Sequence, residues 1–275
     1  MSLFICPVCK KNLTELEKLY RCENGHCFDK SKFGYVNLLQ SQKSSAKRHG
    51  DDRMMVRARR DFLDSGAYGF LRDAICRVCA EYMPQSASVL DAGCGEGYYS
   101  EGVKNFCDNK KPDVYGVDIS KDALEFLGKR KCRVHSAVAS VFDLPFADGS
   151  FDMVFNIFSP EADAEYGRVL KKGGFLIRVI PRENHLFGLK AAIYDKPYYN
   201  EMPSVDIEDF RCITTKQLSE RIQLTDNETI QNLFKMTPYY YKTGVDDQNK
   251  ISSLDYLETE AEFEIRVYRK ENSYA

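Results

Sequence analysis

Between positions 89 and 99 the chain reads Val89-Leu90-Asp91-Ala92-Gly93-Cys94-Gly95-Glu96-Gly97-Tyr98-Tyr99. A short apolar run of this kind reads as a buried strand, and it ends in an acid. Glycine then occupies every second position of a tight loop. Past Gly97, the residues Tyr98, Tyr99, Val103 and Phe106 suit a helix. Strand, glycine loop and helix together make a nucleotide-type cradle. Glycine lets a ligand approach the backbone closely, and a helix start offers free N–H groups.

The spacing of the glycines discriminates between ligands. A dinucleotide site requires Gly-x-Gly-x-x-Gly, because a pyrophosphate sits on the helix terminus. Here the order is Gly93-x-Gly95-x-Gly97, with Glu96 inside the loop. A carboxylate there disfavours a pyrophosphate and suits an ammonium or sulfonium group. A second strand, Val114-Tyr115-Gly116-Val117-Asp118, ends in an acid about twenty residues further on, where an acid binds ribose hydroxyls. Ile119 follows directly. The ligand so defined carries ribose and a positive charge and lacks phosphate, which describes S-adenosylmethionine. At this point the sequence resembles the class I, Rossmann-like methyltransferases. In that family Asp-x-Gly-x-Gly-x-Gly is the methionine-side loop, here Asp91 to Gly97, and the acid after strand two holds ribose.

The second constraint lies near the N-terminus. Cys6-Pro7-Val8-Cys9 is followed, twelve residues later, by Cys22-Glu23-Asn24-Gly25-His26-Cys27. Two knuckles offering soft or borderline donors match the needs of a tetrahedral structural zinc. Cys6, Cys9, Cys22 and His26 form the preferred set, since the Gly25 turn projects the residue after it, while Cys27 competes for the fourth position. A segment this short buries too little apolar surface to fold unaided, so the metal would supply the folding energy. An open coordination position and a nearby general base, which catalytic zinc needs, are not evident. The N-terminus lacks the basic start and long apolar run of a signal peptide, and no window approaches a membrane span. A cytoplasmic protein is therefore expected, with its ten cysteines reduced or bound to metal.

Charge is unevenly spread. Residues 1–60 hold 13 Lys/Arg against 6 Asp/Glu, whereas the other 215 hold 26 against 35. A basic arm on an acidic body points to a polyanionic partner met by the N-terminal part. Phosphate-contact candidates are Lys47, Arg48, Arg57, Arg59 and Arg60. Aromatics between Phe28 and Tyr35 could stack on unpaired bases, although they suit the small core around the metal better.

Further along, residues 72–83 read as a helix in which Cys76 and Cys79 are ordinary packing residues. Ser120 suits a helix cap, with a carboxylate in the first turn. Ala137 to Ser140 ends a third strand, at a place where many methyltransferases carry an Asp for the adenine amino group. Ser140 can accept a hydrogen bond in its stead. Phe151 to Pro160 forms a fourth strand and its loop, which faces the reaction centre because ligands bind beyond the carboxyl ends of such strands, and Asn156, like Ile119, is a cofactor-contact candidate. Glu161 to Lys172 is expected to form an amphipathic helix stopped by Gly173-Gly174. Phe175 to Pro181 is the fifth strand, His185 to Tyr194 a helix, and Phe263 to Val267 the last strand. Thr237 to Lys242 reads as either core or an aromatic lid over an extruded base. Glu161, Asp163 and Glu165 lie near the reacting end, without a pattern that selects one as a base.

Taken together, the knuckles, Phe28-Asp29, Gly34 to Leu39, Gly50-Asp51, Met54-Met55, Ala58-Arg59-Arg60, Phe62-Leu63-Asp64, Gly66, Tyr68 and Asp91 to Tyr99 resemble the RlmA family. Those are bacterial guanine-N1 methyltransferases of 23S rRNA. The resemblance runs from Cys6 to Leu189 and returns at Lys235 to Pro238. It implies zinc on Cys6, Cys9, Cys22 and His26, and cofactor contacts from Tyr68, Gly95, Glu96 and His185. The fold class expected is α/β: a class I Rossmann-like methyltransferase domain with a small N-terminal zinc-binding domain. The expected divisions are residues 1–40 for the zinc-binding, RNA-recognising part, 41–72 for basic linker and helices, and 73–275 for the methyltransferase domain. The expected partner is a 23S rRNA hairpin, gripped in one arrangement by two ribbons of a homodimer. Two other readings share the motifs: a small-molecule methyltransferase, and a non-catalytic RNA-binding or assembly protein with a vestigial pocket.

Overall fold

Two sheets organise the computed structural model, which describes residues 2–40 and 50–271. The small one is an antiparallel meander of β1 (Leu13–Glu15), β2 (Leu19–Cys22) and β3 (Cys27–Asp29). The large one has eight strands. They are β4 (Val36–Asn37), β5 (Ser88–Ala92), β6 (Asp113–Asp118), β7 (His135–Val138), β8 (Phe151–Ile157), β9 (Leu170–Pro181), β10 (Phe210–Leu224) and β11 (Leu257–Lys270). Their order is β10-β11-β9-β8-β5-β6-β7-β4. The six strands from β9 to β4 pair in parallel, and β11 runs antiparallel to both of its neighbours.

Val89 and Leu90 show why the centre reads as an apolar run. Both are fully buried, yet they belong to different cores on opposite faces of β5. One core holds α2 (Gly69–Tyr82), α3 (Tyr98–Phe106), α6 (Phe187–Ile193) and α7 (Asn227–Lys235), together with the end of α1 (Arg53–Asp64). The other packs α5 (Asp163–Val169) and the N-terminal segment against the sheet. Between β6 and β7 lies α4 (Lys121–Arg130), capped as expected by Ser120, whose hydroxyl accepts from the Ala123 N–H.

The N-terminal sheet is fixed to the large one. Fully buried Phe4 packs against Tyr20, Tyr115 and Phe146 with ring centroids 5.6, 5.4 and 5.2 Å apart. The Ile5 N–H donates to the Pro145 carbonyl at 2.9 Å, and β4 extends the large sheet beside β7.

Two local expectations are corrected. The helix after Glu161 stops at Val169 rather than Lys172, because Leu170 pairs with Phe151 in the sheet. Register then jumps to Met153–Phe175, so Lys171 to Gly174 bulge outward and Lys171 reaches Asp152 at 2.8 Å. The third strand ends at Val138, short of Ser140. Residues 237–242 contain one helical turn, α8 (Tyr239–Lys242), ahead of α9 (Val245–Ser252). Its Tyr241 hydroxyl donates to Asp52 at 2.6 Å. The long β10 carries no apolar run because it is an edge strand, largely exposed and paired on one side only. Cys76 and Cys79 are buried in α2, and all ten cysteines are free.

Candidate functional site

At the carboxyl end of β5 the three loop glycines adopt φ of +89°, +53° and +89° for Gly93, Gly95 and Gly97. Side chains are disfavoured in this left-handed region, and two of the positions are also closed sterically. A Cβ on Gly93 would collide with the Ser159 hydroxyl, and one on Gly97 would come within 2.9 Å of Leu127 Cγ. Gly95 faces only Arg59, at 3.8 Å. The backbone N–H of Gly95 donates to Asp118 at 2.9 Å, and the Ser120 N–H donates to its other oxygen at 2.8 Å. The loop and Asp118 are thereby locked together across β5 and β6. Burial raises the Asp118 carboxyl, against these two N–H donors.

Asp91 is buried and accepts the Ser100 hydroxyl. Burial pushes its carboxyl up to about 8. Glu96 turns inward and does not line the open face of the loop. It is 2% exposed and held by Arg130, whose Nε lies 2.6 Å away. The Glu96 carboxylate is thus engaged by Arg130, as the equally buried Asp91 is by Ser100. Asn156 also turns inward, donating to the Pro160 carbonyl at 3.2 Å and the Tyr166 hydroxyl at 3.0 Å. Ser140 accepts from the Phe142 N–H at 3.2 Å.

Tyr68 and His185, more than one hundred residues apart in sequence, meet with ring centroids 6.2 Å apart and share Phe263. Burial, helped by Lys190, lowers the His185 imidazole to about 3, so it is neutral near pH 7. The Tyr68 hydroxyl, Tyr99 hydroxyl, His185 Nδ1 and Ser159 Oγ are all buried without a hydrogen-bond partner among the described residues. Such orphans are uncommon in folded proteins. Their gathering around the glycine loop fits a polar ligand that completes them. Sequence reading missed Ser159 and Tyr99 as members of this group; the glycine at position 93 was the one hint that something presses on the loop.

Gly50 to Asp52 close over the same end. The Ser120 hydroxyl donates to the Asp51 carbonyl at 2.8 Å, and a Cβ on Gly50 would come within 2.7 Å of Ile119 Cγ2. Arg59 binds Asp51 at 2.5 Å, and Arg57 and Arg60 each pair with Asp61. Lys47 and Arg48 lie outside the described residues. None of the three acids considered as a base stands free. Glu161 and Asp163 pair with buried Arg178, while Glu165 pairs with Arg168 and accepts the Leu144 N–H.

In the N-terminal sheet the ligating atoms of Cys6, Cys9, Cys22 and His26 lie within 4.8 Å of one another. Tetrahedral zinc with Zn–S near 2.3 Å spaces its sulfurs about 3.8 Å apart. Cys9 and Cys22 Sγ are 3.7 Å apart, and His26 Nδ1 is 3.3 Å from Cys22 and 3.6 Å from Cys6. The set therefore fits the ion. The Lys11 backbone N–H lowers the Cys9 thiol to about 6, toward the ligating thiolate. Cys27 is exposed and turns its sulfur to the Gly25 carbonyl at 3.4 Å.

This topology, with a glycine cradle at the end of its central strand and a Cys3His cluster docked on one side, defines a class I S-adenosylmethionine-dependent methyltransferase with a zinc ribbon. The family model described as "RlmA, N-terminal" matches residues 4–47, and a methyltransferase-domain model matches residues 89–174. A Bacillus subtilis protein, provisionally named a 23S rRNA (guanine-N1)-methyltransferase, is 30% identical over 98% of both chains. A Streptomyces fradiae protein named 23S rRNA (guanine(748)-N1)-methyltransferase is 36% identical over 68% of this chain and 66% of its own. A Micromonospora griseorubida protein, provisionally named for guanine-N1 methylation of 23S rRNA, is 32% identical over 67% of each. The chain belongs to the RlmA family of 23S rRNA (guanine-N1)-methyltransferases.

Proposed function

We infer that this chain transfers a methyl group from S-adenosylmethionine to N1 of a guanine in a hairpin of 23S rRNA. The observation that carries the reading is the joint presence of the donor cradle, at the end of a strand of the eight-stranded sheet, and of the Cys3His ribbon packed beside that sheet, in a chain matched from end to end by an RlmA-family relative. The donor supplies an electrophilic methyl group. Asp91, Gly93, Gly95, Gly97, Asp118 and Ile119 would receive it, with Tyr68 and His185 closing its far side. Glu96 acts from behind the loop through Arg130, and Asn156 and Ser140 shape the loops beside it.

Guanine N1 lies on the pairing edge, so the base must be unpaired or extruded before transfer. The protein then contributes alignment and exclusion of water. Exposed Lys18, Arg21 and Lys32 of the ribbon, with Arg57, exposed although paired with Asp61, would present positive charge to the RNA backbone. A dimer offering two ribbons to one hairpin fits this reading, and mass in solution measures it. The substrate is cytoplasmic, and among the described residues no helix is long and apolar enough to cross a membrane.

Mass spectrometry of 23S rRNA from a deletion strain, with and without the gene restored, tests the assignment. Loss and return of one N1-methylguanine is expected. An unchanged level overturns it.

A further inference from the structure

Strand β8 ends at Ile157, and the next residue is a surface aromatic in a costly conformation. Phe158 has φ of +53°, and its side chain is 47% exposed. A bulky residue in the left-handed region is a true outlier, of the kind that persists where the surroundings impose it. Burial does not repay the cost here. The ring lies beside Phe263 and Tyr99, at centroid distances of 5.4 and 6.4 Å. The following residue, Ser159, presses on Gly93 of the donor loop. An exposed aromatic ring therefore stands one residue from Ser159, which presses on the donor loop.

We propose that Phe158 is the platform on which the extruded target base stacks. The inference rests on the base-methylating reading above and adds the residue that seats the acceptor. Stacking supplies the affinity that an unpaired base loses on leaving its helix, and any base has a face to offer. Selection among bases then falls to hydrogen bonds at the edge. The backbone at 158 aims the ring outward at the carboxyl end of the strand, where ligands of open α/β sheets bind.

The test uses the full-length protein, tritiated S-adenosylmethionine and a 23S rRNA transcript. Phe158→Gly relieves the left-handed strain, so its melting temperature should equal or exceed that of the wild type. Donor affinity by titration calorimetry should stay within twofold. Single-turnover methyl transfer should fall about 10- to 100-fold, the range expected for losing one base–aromatic stack. Phe158→Leu, which keeps apolar bulk, should show the same loss, and Phe158→Tyr should recover most of the rate.

Transfer within threefold of wild type in Phe158→Leu overturns the proposal. So does donor affinity falling in step with rate, which would place the ring in the donor pocket, or a lowered melting temperature in Phe158→Gly, which would make it core. A wild-type protein inert on the transcript overturns the functional reading itself, and the proposal with it.

Discussion

From the last turn of α4, Arg130 reaches the buried Glu96 carboxylate at 2.6 Å and also donates to Asp64 at 2.9 Å and Glu101 at 3.2 Å. One guanidinium thus joins the glycine loop, the end of α1 and the first turn of α3. Replacing it leaves a carboxylate that is 2% exposed without its partner. Breaking such a pair from one side costs about 3–5 kcal/mol. Arg130→Met should lose that much in urea unfolding. The double variant Arg130→Met/Glu96→Gln should recover a large share, because the uncompensated charge is gone. Equal loss in both would contradict the pairing.

Zinc content separates the two cysteines that compete in sequence. Cys9→Ser should abolish the one-to-one zinc stoichiometry measured by plasma mass spectrometry and loosen the N-terminal sheet, since the metal organises it. Cys27→Ser should retain full zinc, because its sulfur faces the Gly25 carbonyl. Zinc lost in the second variant and kept in the first would reverse the ligand set.

The glycines of the donor loop should not tolerate alanine equally. Gly93→Ala forces a methyl group onto Ser159, and Gly97→Ala forces one onto Leu127. Both should weaken donor binding at least tenfold by calorimetry. Gly95→Ala meets nothing close and pays chiefly for its positive φ, a cost of about 1–2 kcal/mol. Ser159→Gly should partly rescue Gly93→Ala and leave Gly97→Ala unchanged.

Stability should carry the signature of Asp91. Its carboxyl sits near 8 in the folded protein against about 4 unfolded, so the native state binds the extra proton between those values. Asp91 therefore costs stability as pH rises from about 4 to 8. Asp91→Asn removes the titration, and its melting-temperature advantage over wild type should widen between pH 5 and pH 8. A difference independent of pH would place the carboxyl in its ordinary range.

Much of the site was legible because its signals are local. The alternation of Gly93, Gly95 and Gly97, the acid at Asp118 and the two knuckles are each carried by residues within a few positions of one another. Serine at 120 marks its helix for the same reason. Where reading failed, the missing information was a distant partner. The Arg130 that holds the Glu96 carboxylate stands 34 residues away and leaves no mark in the loop itself. The helix after Glu161 looked longer because the pull of Phe151 on Leu170 leaves no trace in the helix's own pattern. Strand β10 was invisible because an exposed edge strand needs no apolar face.

The sequence by itself determined the donor class, the metal class and the strand–loop–helix unit at the centre. Backbone torsions forced by glycine and ligand sets of neighbouring cysteines are properties of short stretches. Only the tertiary structure decided that Phe4 would fix the ribbon to the sheet, that Tyr68 would meet His185, and that Ser159 would press on Gly93. Those relations join residues from about 60 to nearly 150 positions apart, and burial of apolar surface around the shared sheet is what brings them together.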